Sequence, residues 1–179
     1  MPLIAQLFYL FLPAYAANSA PVIGKCLGWL TGLNAPLDQG KTWHGREVLG
    51  KHKTVRGLVL AIAAASIVAC AQVVLSSSIP QWLPLVRYDV FFWPTGVLMG
   101  LGAILGDAAE SGIKRLLGIP AGQLWWPFDY FDYTLGALLL SGLAWRLPVT
   151  LMAMAIVLNV VLTTATNAAA KRLDLKDQL

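Results

Sequence analysis

Five apolar stretches, at residues 2–30, 57–79, 90–106, 130–145 and 148–168, fill most of this 179-residue sequence. A bilayer core about 30 Å thick takes about 20 mostly apolar residues per helix, so each stretch is a candidate span. Pro13, Asn18 and Pro21 interrupt the first, the second is uncharged, and the third ends on Asp107. Only Arg146 and Leu147 separate the last two, a link short enough to predict an antiparallel hairpin. The chain is 58% apolar and 12% charged. A soluble domain carries about 25% charged residues, so this one lacks the charge to coat a globule. The expected fold is therefore all-α: one polytopic membrane domain over residues 1–179 with about five transmembrane helices. A soluble enzyme, a disordered tail protein and a disulfide scaffold are excluded. Cys26 and Cys70 lie in apolar surroundings, where a thiol acts as a small hydrophobe. No repeat or strand-like alternation stands out. Gly96 and Gly100 are scattered glycines rather than a clear small-residue face.

The basic residues set the expected orientation. Lys41, Arg46, Lys51, Lys53 and Arg56 follow the first stretch, Lys114 and Arg115 the third, and Lys171, Arg172 and Lys176 the fifth, against Arg87 and Arg146 on the other side. Positively charged loops stay in the cytoplasm, which predicts an outside N-terminus, a cytoplasmic C-terminus and a cell-membrane location. Trp82, Trp93 and Trp145 then fall near the outer boundary and Trp43, Trp125 and Trp126 near the inner one. With the net charge of +4 spread over span ends, no nucleic acid is expected as a partner. Ala14-Tyr15-Ala16 resembles a signal-peptide cleavage site. No basic segment precedes it, however, and cleavage would put the basic 31–56 loop outside, so the stretch is read as a span.

Two loops, about 31–56 and 107–129, are long enough for chemistry, and both are expected in the cytoplasm. If the third helix continues past Gly106, Asp107, Ser111 and Lys114 share one face. Asp129 and Asp132, three apart, share another. Three carboxylates beside Lys114 and Arg115 suit a divalent ion that itself holds phosphates, because Mg2+ prefers a few carboxylates, water and substrate phosphates. The same residues also suit a structural ion-pair network, and spacing leaves both readings open. Lys51, Lys53 and Arg56, between Gly50 and Gly57, form either a polyphosphate clamp or a positive-inside anchor. His44 and His52 have no partner at ligand spacing and are read as interfacial residues. Asn18, between two prolines, either lines a cavity in a broken helix or bonds a neighbouring helix.

Taken together, these segments resemble the CDP-archaeol synthase family, small relatives of the membrane-embedded CDP-diacylglycerol synthases. The resemblance runs through Pro13-Ala14-Tyr15-Ala16-Ala17-Asn18, Pro36-Leu37-Asp38, Lys53-Thr54 with Arg56-Gly57, Gly106-Asp107 through Ser111, Lys114 and Arg115, and then Pro127, Asp129 and Asp132. It implies a CTP-dependent cytidylyltransferase: CTP and a lipid phosphatidic acid, archaeol-type ether or a diacyl analogue, give CDP-lipid and pyrophosphate with Mg2+. It further implies that Asp107, Asp129 and Asp132 hold metal and, with Lys114, form the catalytic set. Lys53, Thr54, Arg56, Ser111, Arg115, Asn18 and Asp38 become candidate substrate-binding positions. CTP would arrive from the cytoplasm and the lipid phosphate from the inner leaflet. The larger synthases carry a Lys-Asp pair and then His-Gly-Gly where this chain reads Gly118-Ile119-Pro120-Ala121-Gly122, a departure that favours the archaeol branch. The rival expectation is a small transporter or channel with a polar path lined by Asn18 and Asp107.

Overall fold

The computed structural model describes residues 2–43, 46–50, 52–89, 92–120 and 123–172. His44, Lys51, Val90, Ala121, Gly122 and the tail containing Lys176, all used in the sequence reading, lie outside the described residues. Five helices carry the fold: α1 (Pro2–Cys26), α2 (Val55–Leu75), α3 (Trp93–Leu116), α4 (Asp132–Ser141) and α5 (Val149–Arg172). A two-residue hairpin, β1 (Thr42–Trp43) against β2 (Arg46–Glu47), sits in the α1–α2 loop. The described residues thus hold five helices, but not the five membrane-spanning lengths expected. Among the described residues, α1, α2 and α3 are long and apolar enough to cross a membrane. The apolar Val149–Ala165 segment of α5 is shorter. α4 has 10 residues, about 15 Å of helix, half of what a bilayer core requires.

Helix α3 is the hub, with α2 on one side, α4 on the other and α1 crossing both α2 and α3. Small residues make this possible. The buried stripe Ala61, Ala65 and Ala69 of α2 faces Gly96 and Gly100 of α3. A Cβ at Gly96 would sit 2.8 Å from the Ala65 carbonyl oxygen, so only glycine admits this crossing. On its other side α3 presents Gly102 and Gly106 to Gly136 of α4, where a Cβ at Gly106 would come within 2.3 Å of the Asp132 carbonyl oxygen. The glycines taken as scattered, Gly96 and Gly100, thus form one contact face of α3 and Gly102 with Gly106 a second, the two glycines of each face standing four residues apart. The buried Leu7, Leu10, Phe11, Ala14 and Ala17 form the apolar stripe of α1. The suspected cleavage segment is thus part of the packed core, and α1 runs unbroken through Pro13 and Pro21.

Two boundaries differ from expectation. α3 continues ten residues beyond Gly106, because residues 107–116 keep a buried face (Ala108, Glu110, Ser111, Lys114). It stops at Gly118, whose φ of +80° suits glycine. There the Gly118 N–H donates to the Arg115 carbonyl and the Ile119 N–H to the Lys114 carbonyl, a Schellman ending. The second difference is at the α4–α5 link, which covers 142–148 rather than two residues. α4 packs mainly on α3 and only lightly on α5, so the tight hairpin does not form. The glycine contact with α3 holds α4 instead.

Candidate active site

The α1–α2 loop folds back on itself to deliver Lys53. The Leu37 N–H donates to the Lys53 carbonyl at 2.7 Å and the Val55 N–H to the Ala35 carbonyl at 2.9 Å, setting Pro36 opposite Thr54. Asp38 ties the loop from inside: its carboxylate accepts the Gly40 and Leu49 N–H groups, both at 2.9 Å. The Leu49 hydrogen bond, outweighing a small burial cost, holds the Asp38 carboxyl below its ordinary pKa. Thr54 then caps α2, its Oγ1 accepting the Gly57 N–H at 3.2 Å. The loop thereby leaves Lys53 immediately before the positive end of a helix dipole.

Lys53 Nζ reaches across to α3 and donates to both carboxylate oxygens of Asp107, at 2.6 and 2.5 Å. Beside this pair lies a cavity of about 210 Å³ whose lining includes Asn18, Leu37, His52, Thr54 and Ile104. Asn18 thus shares this lining with Lys53 and Asp107. Arg56, half-buried in the first turn of α2, is not part of that lining.

One turn along α3 the arrangement becomes denser. Glu110, Ser111 and Lys114 are each 7% exposed. Lys114 Nζ contacts Asp129 Oδ1 at 2.7 Å and Glu110 Oε1 at 3.3 Å. The other oxygen of Asp129 accepts the Trp125 N–H at 2.6 Å. Burial works against the charged form of Asp129, but its hydrogen bonds with Glu110, Lys114 and the Trp125 N–H prevail and lower its pKa. Arg115 donates to the Ile119 carbonyl and so braces the turn that ends α3. Asp132 Oδ1 accepts the Tyr133 N–H at 2.7 Å at the start of α4.

Asp107, Glu110 and Asp132 each offer an oxygen, and these oxygens lie within 4.8 Å of one another. Two of the three carboxylates assigned to metal from sequence are brought together here. The third, Asp129, stands beside Lys114, and Glu110 takes its position in the triplet. Glu110 was missed from sequence, although its spacing was readable. It lies three residues after Asp107 and four before Lys114, on the face already defined by those two. Such a trio of hard oxygen donors suits Mg2+, which needs only one or two protein carboxylates alongside substrate phosphates.

A family model described as CDP-archaeol synthase (CarS-like) matches residues 1–179. The chain belongs to the CDP-archaeol synthase family. Curated relatives of that name include one from Pyrobaculum calidifontis, 33% identical over 98% of this chain and 97% of its own. Another, from Methanospirillum hungatei JF-1, is 32% identical over 92% of this chain and 97% of its own. A solved structure described as an intramembrane enzyme for archaeal membrane lipids biosynthesis superposes with a TM-score of 0.73, at 30% identity, covering 90% of this chain and 92% of that one. Family membership makes this a membrane-embedded CTP-dependent lipid cytidylyltransferase, as the resemblance implied, and gives no support to the transporter reading.

Proposed function

We propose that the chain joins CTP to an archaeol-type ether phosphatidic acid, within a single domain over residues 1–179, at the cytoplasmic end of α3. An oxygen of the lipid phosphate attacks the α-phosphorus of CTP, the bond to the β-phosphate breaks, and pyrophosphate leaves. Because the lipid supplies the nucleophile, the protein's task is alignment and neutralisation of charge. The carrying observation is the convergence of Asp107, Glu110 and Asp132 oxygens beside the Lys53 cavity. These three carboxylates would hold Mg2+, which supplies Lewis-acid stabilisation of the phosphates. Lys53 and the N-terminal end of α2 face the polyphosphate, where an ammonium and the positive end of the helix dipole favour an anion. Asn18 lines the same cavity and Arg56 sits in the chain between Thr54 and Gly57, which both line it, completing the substrate-binding set. Lys114 holds Asp129 and Glu110 in register, while Ser111, Arg115 and Asp38 act on substrate through the helix and loop they stabilise.

The positive-inside pattern supports an outside N-terminus and a multi-pass arrangement with the catalytic end in the cytoplasm. CTP then enters from water and the lipid phosphate from the inner leaflet. Incubating purified protein with labelled CTP and a panel of ether and ester phosphatidic acids tests this reading. The expected result is Mg2+-dependent CDP-lipid formation with preference for the ether lipid. Full turnover in excess chelator, or equal use of diacyl substrates, would contradict the corresponding part.

A further inference from the structure

Helix α5 carries none of the groups assigned above. It has no charged residue from Val149 to Ala165, and of its described side chains only Ala155 and Asn159 are buried. An asparagine there is physically odd. A primary amide away from water is costly unless both ends are satisfied, whereas leucine would pack without that penalty. Asn159 is satisfied at both ends, and its partners adjoin the site. Its Nδ2 donates to the Tyr130 carbonyl at 2.7 Å, and its Oδ1 accepts the Tyr133 hydroxyl. Tyr130 follows Asp129 in the chain and Tyr133 follows Asp132. The Tyr133 N–H is the group that Asp132 Oδ1 accepts.

We propose that Asn159 is a positioning residue that sets Asp132 against Asp107 and Glu110. Two hydrogen bonds from one rigid amide fix both ends of the short segment between Tyr130 and Tyr133. They thereby fix where the Asp132 carboxylate stands relative to α3. α5 packs only lightly on the other helices, so these bonds, rather than a broad apolar contact, are its hold on the aspartate-bearing turn. The inference rests on the reading of Asp107, Glu110 and Asp132 as the metal-holding set.

The test uses detergent-purified full-length protein carrying Asn159→Leu, Tyr133→Phe or Asp132→Asn. Mn2+ binding is followed by electron paramagnetic resonance, and the Mg2+ concentration for half-maximal CDP-lipid formation is measured in parallel. Loss of an outer partner of a metal ligand weakens affinity roughly 10–100-fold, so Asn159→Leu is expected to raise both values about tenfold. Tyr133→Phe, which keeps volume and loses only the hydroxyl, shifts them the same way by a smaller factor and reports even if Asn159→Leu fails to fold. A residue needed only for packing would lower the amount of folded protein and leave the divalent affinity unchanged. That result for Tyr133→Phe, with Asp132→Asn weakening Mn2+, would overturn the role given to Asn159. Unchanged Mn2+ affinity in Asp132→Asn would instead remove the metal reading beneath it.

Discussion

Two lysines meet carboxylates in this molecule, in contrasting settings. Lys53 and Asp107 are 20% and 31% exposed at the side chain and border a cavity. Lys114 and Glu110 are 9% and 8% exposed, with Asp129 at 18%, and the Asp129 carboxylate is further tied to backbone. The first cluster joins a loop residue to a helix residue 54 positions away. The second closes within 20 residues of chain, from Glu110 to Asp129. An ion pair that opens on a cavity can exchange its partner for a ligand at little cost. One that is buried and shares a single lysine between two carboxylates cannot, because separating its charges leaves one of them unpaired away from water. The comparison supports the proposed division, substrate contact for Lys53 and internal bracing for Lys114, although both are lysines beside aspartates.

The sharpest way to break this contrast is to remove the carboxylate shared by the Lys53 pair and the metal triplet. Asp107→Asn is expected to cut CDP-lipid formation on the order of 10²–10³-fold, the usual loss when one preorganised electrostatic group is removed. The protein should still insert and melt normally. Near wild-type turnover in that variant would end the proposed chemistry. Next comes the lysine pair itself. Lys114→Met should destabilise the protein on the order of 3–5 kcal/mol, since Glu110 and Asp129 then lose their shared cation. Lys53→Met should leave thermal stability almost unchanged and raise KM for CTP roughly 10–100-fold, in line with about 1.5–3 kcal/mol for a charged hydrogen bond. If the two variants exchanged these signatures, the division of labour would be reversed.

What was legible from sequence follows from which forces are local. Helix number, the apolar stripes and the Asp107–Ser111–Lys114 face depend on residue spacing, and spacing is printed in the chain. So is the end of α3, where Gly118 marks the Schellman turn, although hydropathy alone placed the boundary at Gly106. The membrane setting was readable for the same reason, and the family through the resemblance of its motifs. Convergence of Asp132 with Asp107 was expected, but the contact that brings it about was not legible, because it depends on Gly102, Gly106 and Gly136 lying opposite one another. A glycine gives no hydropathy or charge signal of its own. The exchange of Asp129 for Glu110 in the carboxylate triplet has the same origin: which of two acids three residues from Asp107 or Asp132 reaches the centre is set by the α3–α4 crossing. Asn159 was hidden further still, as a single amide in an apolar run whose partners are 26 and 29 residues away.

That crossing can be tested directly. Gly106→Ala places a methyl where only 2.3 Å separates the Cβ from the Asp132 carbonyl oxygen. Since the obstruction is backbone, α4 must move, at a cost of about 1–3 kcal/mol for an overpacked contact. The same shift carries Asp132 away from Asp107, so divalent affinity should weaken together with melting temperature. Gly32→Ala, where nothing lies within 4 Å of the added methyl, is the matched control and should change neither. A Gly106→Ala protein that is less stable but binds Mn2+ normally would separate the crossing from the site.

The smallest expected effect concerns the loop that presents Lys53. Asp38 is held below its ordinary pKa chiefly by the Leu49 N–H. Its contribution to loop order is therefore fully present above the unfolded value of about 3.9 and is lost as pH falls through the lower folded value. Hydrogen exchange at the Leu49 amide should stay slow, after correction for intrinsic rates, from neutral pH down to about 4 and quicken only below that. Asp38→Asn should raise exchange at Leu49 modestly at neutral pH and remove the acid-dependent step, because its amide no longer offers two charged oxygens to the Gly40 and Leu49 N–H groups. An acid step that persisted in Asp38→Asn would assign it to another carboxylate. Lys53 would then owe its placement to the 35–37 and 53–55 backbone pairing alone.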